Sequence, residues 1–375
     1  MKNILNTLII VLLISCKPDV TTHKPVNPDA SKEATALLNF LNEIKGKYTL
    51  SGEHNFVSTG SKYNNLVFEI TGRYPVIWGS DFSFCAVGDN APNFQHCGPM
   101  NLIDPAEGFG VVDMSVDSLR SGMIREAINQ WNKGHIITLM WHECFPTCGD
   151  SCNGSSVWAM QNRPDQKTWD SLTTDGTSLN KAWKKQADGV VKYLKVLRDA
   201  HVPVLWRPYH EMNGVWFWWC DHKGENGFKK LWIMMYNYFV NEHKLNNILW
   251  VWDSNAPRDV KGDEAFPYEQ FYPGNEYVDV LAADIYGHDY KQSHHDQLLT
   301  LGGGKPISMG EVGDMPDDSI LNAQPDWRWF MVWGYFIRSD RNNSEKVKAL
   351  YNSPRVLTLD EVTRDLDGNY HVISK

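Results

Sequence analysis

Residues 180–219 read NKAWKKQADGVVKYLKVLRDAHVPVLWRPYHEMNGVWFWW, and the change of period inside this stretch decides the fold. Trp183, Val190, Val191, Leu194 and Leu197 recur at helical spacing with lysines opposite them, which predicts an amphipathic helix over 180–200. A connection as short as Ala200-His201 leads into the apolar run 202–207, which reads as a strand. The strand then opens into a long aromatic segment. Helix, short turn, strand, long loop is the repeating unit of a β/α protein.

The same alternation extends in both directions. Strands are expected at 48–51, 75–79, 135–141, 202–207, 247–252, 278–284, 306–310 and 328–333, and helices at 64–72, 115–133, 180–200, 225–244 and 317–324. Eight strands separated by helices or long connections predict an α/β chain folded as one (β/α)8 barrel. A doubly wound open sheet would normally carry a glycine-rich phosphate loop after its first strand, and Gly52-Glu53-His54-Asn55 is not one. The long connections 82–112, 143–179, 208–224 and 254–277 all follow strands. In a β/α barrel such loops share one face, at the C-terminal ends of the strands, where active sites lie.

The first residues carry an address. Lys2 precedes an apolar run over 4–14, too short to span a bilayer, which needs ~20 residues. With Leu13-Ile14-Ser15-Cys16 it resembles a bacterial lipoprotein signal, in which the cysteine is acylated and becomes the mature N-terminus. The expected organisation is a signal peptide at 1–15, a flexible tether at 16–32 rich in Pro, Thr, Lys and Asp, and a catalytic domain over 33–375. Export to the cell envelope by a lipid on Cys16 confines membrane contact to the terminus. With 36 Lys+Arg against 45 Asp+Glu and no basic aromatic stripe, nucleic acid is not an expected partner. The other six cysteines, Cys85, Cys97, Cys144, Cys148, Cys152 and Cys220, are expected in disulfides in an oxidising compartment. The alternative, zinc on Cys144, Cys148 and Cys152, lacks the close C-x2-C pairs of structural sites. No metal or cofactor is expected, and the chain is read as a monomer.

Two stretches carry chemistry. The strand at 202–207 delivers Arg207, His210 and Glu211 to the rim beside Trp216, Phe217, Trp218 and Trp219. A carboxylic acid among tryptophans is desolvated, which raises its pKa and suits a general acid. Flat aromatic faces also bury the C–H faces of sugars. The second stretch, Lys305 to Gly313, ends a short apolar strand in Glu311. By strand count the two glutamates sit on strands four and seven, facing one rim. Such a pair is what glycosidic cleavage needs, ~5–5.5 Å apart when configuration is retained and farther when it is inverted. Zinc-peptidase chemistry is excluded, because Gly214 and Pro146 stand where a second histidine would follow His210-Glu211 and His142-Glu143.

These stretches resemble glycoside hydrolase family 26, and the likeness runs from Leu50-Ser51-Gly52-Glu53-His54 to about Trp333. The resemblance implies a retaining β-mannanase, with Glu211 as acid/base and Glu311 as nucleophile. It implies that His210 and Tyr286 orient the nucleophile, that Trp216 and Trp333 stack on sugar, and that His142 touches sugar on the non-reducing side. From the residues themselves, Arg207 is expected to prop the glutamates with a fixed cation, and Asp81 to bind a sugar hydroxyl. The sequence departs from the family pattern at Cys220 and in the cysteine-bearing third loop, and such loops decide whether a cleft is open to internal cuts or blocked for terminal ones. The same machinery on xylan or mixed-linkage glucan, exo action on manno-oligosaccharides, and a non-catalytic glycan-binding lipoprotein remain alternatives. Both intact glutamates speak against the last.

The address has its own test. Cys16→Ala is expected to move the protein from the membrane to the soluble fraction, or to leave it unprocessed, because the lipid is its only apolar tether. Identical fractionation of parent and variant refutes the lipoprotein reading.

Overall fold

The computed structural model describes residues 24–57, 59–82, 115–149, 156–159 and 163–373. In chain order the principal elements are α1 (Lys32–Glu43), β1 (Thr49–His54), α2 (Lys62–Thr71), β2 (Ile77–Phe82), α3 (Val116–Asn132), β3 (Ile136–Trp141), α4 (Gln166–Thr173), α5 (Ser178–Asp199) and β4 (Val204–Pro208). There follow α6 (Phe228–Tyr236), β5 (Ile248–Asn255), β6 (Val280–Ile285), α7 (Gln292–Leu301), β7 (Ile307–Val312), α8 (Asp318–Ala323), β8 (Trp327–Val332) and α9 (Ser344–Tyr351). Strands β1 to β8 are parallel, each paired with its neighbour in sequence, and β1 pairs with both β2 and β8, so the sheet closes. This is the expected single-domain (β/α)8 barrel.

Local chemistry explains the elements. Helix α5 starts on Thr177, whose side chain accepts from the Asn180 amide at 3.1 Å. It buries Trp183, Ala187, Val190, Val191, Leu194 and Leu197 against the sheet. The expected helix at 225–244 is α6 continued by a π-helical stretch, Asn237–Glu242. Helices α1, α4, α7 and α9 lie outside the expected set. In α7 the buried positions are His294, His295 and Leu298, so its inward face does not look apolar in sequence.

The foot of the barrel is closed by both ends of the described chain. The Val26 amide donates to Asp279 Oδ1 at 2.7 Å, Asn27 Nδ2 to the Leu245 carbonyl at 2.9 Å, and the Ser31 amide to the Asn246 carbonyl at 2.7 Å. The expected tether at 16–32 therefore overlaps the folded unit at its end: Val26 and Asn27 are fastened to the barrel. At the other end, β9 (Val356–Leu357) joins β1, and the hairpin of β10 (Val362–Arg364) and β11 (Tyr370–Val372) stacks Tyr370 on Phe40 of α1 at 5.2 Å.

One irregularity matters for the site. Along β6 and β7, Ala283 pairs with Met309 but Asp284 pairs with Glu311, so Gly310 is an extra residue in β7. In a regular register Glu311 would pair with Ile285 and face the helices. The bulge turns it inward, beside Asp284. A Cβ on Gly310 would lie 2.4 Å from the Asp253 carboxyl carbon, so only glycine fits there.

Gly310→Ala is accordingly expected to destabilise the fold by ~1–3 kcal/mol through overpacking. Gly122→Ala, in α3, would meet only the end of Arg125 at 3.8 Å and should stabilise by up to ~1 kcal/mol. Urea denaturation of the two variants beside the parent checks both signs.

Candidate active site

Strand β4 ends at Pro208, and the chain turns sharply through two non-glycine residues in the left-handed region, Tyr209 (φ +50°) and Glu211 (φ +54°). The turn is held from several sides. The Glu211 amide donates to the Asp253 carbonyl at 2.8 Å, and the Cys220 thiol donates to the Glu211 carbonyl at 3.1 Å. Tyr209 donates to Glu143 and accepts from Trp183 Nε1 at 2.7 Å. The aromatic run that follows divides in two. Phe217, Trp218 and Trp219 are buried, and Trp218 and Trp219 donate to the carbonyls of Glu143 and His210, both at 2.8 Å. Trp216 alone of the four is half-buried, and its ring folds over Gly214, where a Cβ would lie 2.4 Å from it.

The two glutamates have different surroundings. Glu211 accepts from Trp216 Nε1 at 2.6 Å on one oxygen and from Asn255 Nδ2 on the other. Glu311 accepts from Arg207 Nη2 at 3.2 Å and from the Tyr286 hydroxyl at 2.7 Å. Burial, then the charge of Glu311, pushes Glu211 up to about 8, opposed by Asn255, Arg258 and Trp216. Burial also raises Glu311, but there the Arg207 cation leads the opposition.

Arg207 binds three carboxylates, those of Asp253, of Asp284 at 3.7 Å and of Glu311 at 3.2 Å. Burial works against its charge, and these three neighbours more than restore it. Asp284 is raised well above the usual carboxylate range, first by burial and then by Asp253, Glu311 and Glu211. His210 is held neutral by burial and by His142, Arg207 and His54. Its Nε2 stands 3.8 Å from Glu311 Oε1, longer than a hydrogen bond. His210, Asp284 and Glu311 present potential metal-ligand atoms within 4.8 Å of one another, but the guanidinium of Arg207 already supplies positive charge among these carboxylates.

His142 directly follows β3 and is in contact with His210, ring centroids 4.5 Å apart. Its Nδ1 is 2.7 Å from Asp81 Oδ2, and its amide donates to Asp81 Oδ1 at 3.3 Å. Asp81, expected to bind a sugar hydroxyl, is fully buried behind His142 and spends both oxygens on it. The pairing leaves His142 Nε2 without a partner among the described residues. Trp333 is buried and stacks on His54 at 3.9 Å, with His142 against it at 6.1 Å.

The structure thus brings Glu211, Glu311, Arg207, His210, Tyr286 and Trp216 together, with His142 and Trp333 beside them and Asp81 one step back. Cys16 lies outside the described residues. Arg207 reaches Glu311, while Glu211 is held by Asn255 and Trp216. Sequence reading missed Asp253, Asn255, Asp284 and His54 as site residues. Asp253 and Asn255 lie beyond Trp252, where the apolar pattern of their strand stops. Asp284 closes the expected strand at 278–284 and His54 closes the stretch Leu50 to His54, with nothing to separate either from an ordinary strand end.

The cysteine expectation needs correction. Cys144 is disulfide-bonded, but Cys148 and Cys220 are free, so its partner lies outside the described residues. Cys220 is buried under the Glu211 turn, and burial raises its thiol pKa further. Cys148 is exposed. A thiol-alkylating reagent is therefore expected to modify Cys148 in the native protein and Cys220 only after unfolding. Peptide mapping by mass spectrometry reads both, and native labelling of Cys220 would contradict its burial.

Comparison with known proteins gives one answer throughout. The profile of Glycosyl hydrolase family 26 matches residues 26–91 and 97–361. The solved structure of GH26A from a Muricauda species superposes with a TM-score of 0.79 at 41% identity, covering 90% of this chain and 99% of that one. A mannan endo-1,4-beta-mannosidase of Thermothelomyces thermophilus is 30% identical over 355 residues, which are 90% of this chain, and the match spans 62% of that relative's length. A mannan endo-1,4-beta-mannosidase of Bacillus subtilis is 30% identical over 362 residues, 88% of this chain and 89% of that protein.

Proposed function

The chain belongs to glycosyl hydrolase family 26, and from that premise we propose that it is a retaining endo-β-1,4-mannanase acting on mannan, glucomannan or galactomannan. The observation that carries the reading is the contrast between two buried glutamates on one rim. Glu211 is held protonated towards pH 8, while Glu311 faces the Arg207 cation. The names of the Thermothelomyces and Bacillus relatives support β-mannan as the polymer. Cys16 as a lipid anchor to the cell envelope completes the proposal.

In the first step Glu211 gives its proton to the glycosidic oxygen while a Glu311 oxygen attacks the anomeric carbon. The C–O bond breaks, the alcohol leaves, and Glu311 becomes a neutral ester. With that negative charge gone, one of the influences raising Glu211 disappears as Glu211 must turn from acid to base. In the second step Glu211 takes a proton from water, whose oxygen displaces Glu311 and restores the original configuration. Tyr286 and Arg207 hold Glu311 ionised and aimed.

Removing either glutamate separates the steps. Glu311→Ala is expected to be nearly inert on every substrate. Glu211→Ala should still be glycosylated by an activated aryl mannoside, stall as the covalent intermediate, and turn over with azide to a β-configured glycosyl azide. For the parent, kcat/KM should fall below the pKa of Glu311, which must be ionised, and above that of Glu211, about 8, which must be protonated. Proton NMR of the first product should show the β-anomer; an α-configured first product would overturn the assignment. Product profiles on mannan, glucomannan, xylan and mixed-linkage glucan test the polymer and the endo mode.

A further inference from the structure

Glu211 carries two hydrogen-bond donors, from Asn255 and Trp216, and both lead back to one residue. Arg258, three residues beyond β5, donates from Nη1 to the Asn255 side-chain oxygen. That bond fixes the amide's orientation, because an oxygen taken by a cation leaves the NH2 group to face Glu211. The guanidinium carbon of Arg258 also stands 5.2 Å from the centroid of the Trp216 ring, whose Nε1 holds the other Glu211 oxygen. Arg258 is itself clamped. Its Nε and Nη2 donate to the two oxygens of Asp263 at 2.8 and 2.7 Å, a bidentate pair. Its backbone exchanges two hydrogen bonds with Ala265, both at 2.9 Å, which pins the base of the 258–265 loop. Asn255 is fixed from the other side by Asn213, through its amide at 2.7 Å and its carbonyl at 2.8 Å.

We propose that Arg258 is a positioning residue for the acid/base, acting through Asn255 and Trp216 to set the geometry and the proton affinity of Glu211. The inference rests on the reading of Glu211 given above. Asn255 Nδ2 and Trp216 Nε1 can only donate, so both favour the ionised carboxylate. That form exists after the proton has gone to the leaving group, and it serves as base in the second step. The other groups acting with Glu211 cannot do this. Glu311 on β7 and Asp284 on β6 are acidic, and Tyr286 and the Cys220 thiol are buried and neutral. Arg207 on β4 is occupied by Asp253, Asp284 and Glu311. Arg258 is the cation that opposes the rise of Glu211.

The test reads the Glu211 carboxyl directly. In protein carrying 13C-labelled glutamate side chains, Arg258→Met is expected to move the Glu211 titration to higher pH, and Arg258→Lys to return most of it by restoring charge. On mannan, Arg258→Met should lose about tenfold in kcat/KM, part of the 10²–10⁴-fold that a placed acid/base supplies. The basic limb of the pH profile should move up with the NMR titration. Arg258→Lys should recover the limb more than the rate, because an ammonium cannot hold Asp263 and Asn255 in one plane. A folded Arg258→Met protein whose Glu211 titration matches the parent overturns the proposal. If that variant does not fold, Asp263→Asn decides, since it keeps the cation and frees it; parental titration and rate overturn the proposal equally. The NMR readout does not depend on turnover. A parent inactive on mannan would therefore count against the function proposed above, not against the coupling of Arg258 to Glu211.

Discussion

Four buried carboxyl groups, on Glu211, Asp253, Asp284 and Glu311, gather at the head of the barrel, and among the described residues Arg207 is the one cation bonded directly among them. They cannot all be ionised. A charge taken out of water is expensive unless paired, and like charges in low dielectric raise one another's pKa. One guanidinium bound to Asp253, Asp284 and Glu311 leaves Glu211 outside its reach, and Glu211 is pushed up to about 8; Asp284, 3.7 Å from that cation, is raised as well. The difference between the two glutamates is therefore a matter of which is bonded to the fixed charge, more than of local polarity at either one.

The backbone is bent to meet this constraint. Gly310 is inserted into β7 so that Glu311 faces Asp284, and it must be glycine because the Asp253 carboxylate occupies the space of a Cβ. Glu211 is reached through a turn with two left-handed non-glycine residues, a conformation costing of order 1–3 kcal/mol each. Buried tryptophans and the Cys220 thiol tie that turn down. Much of the aromatic run after Glu211 thus supports that residue from behind, and Trp216 is the member that touches its carboxyl group.

The fold was legible because hydrophobic period changes so often and so regularly along this chain. Every barrel strand lies where the alternation places it. Most run one to three residues further than expected, as β5 does through Asp253, Ser254 and Asn255. The extension of β5 is polar because it lines the site, so a reading based on apolar runs stops short there, where function begins. Both glutamates stood out because each follows closely on an apolar run. Asn255 and Arg258 did not, since their importance comes from contacts made across loops. Helix α7 was hidden for a similar reason, its core face being made largely of histidine.

The docking of Val26 to Asp279 and of Asn27 to the Leu245 carbonyl fixes where the described chain begins, at the N-terminal ends of the strands. The carboxylate cluster lies at the opposite end. The point at which the described chain enters the barrel is therefore separated from the open rim by the whole length of the strands.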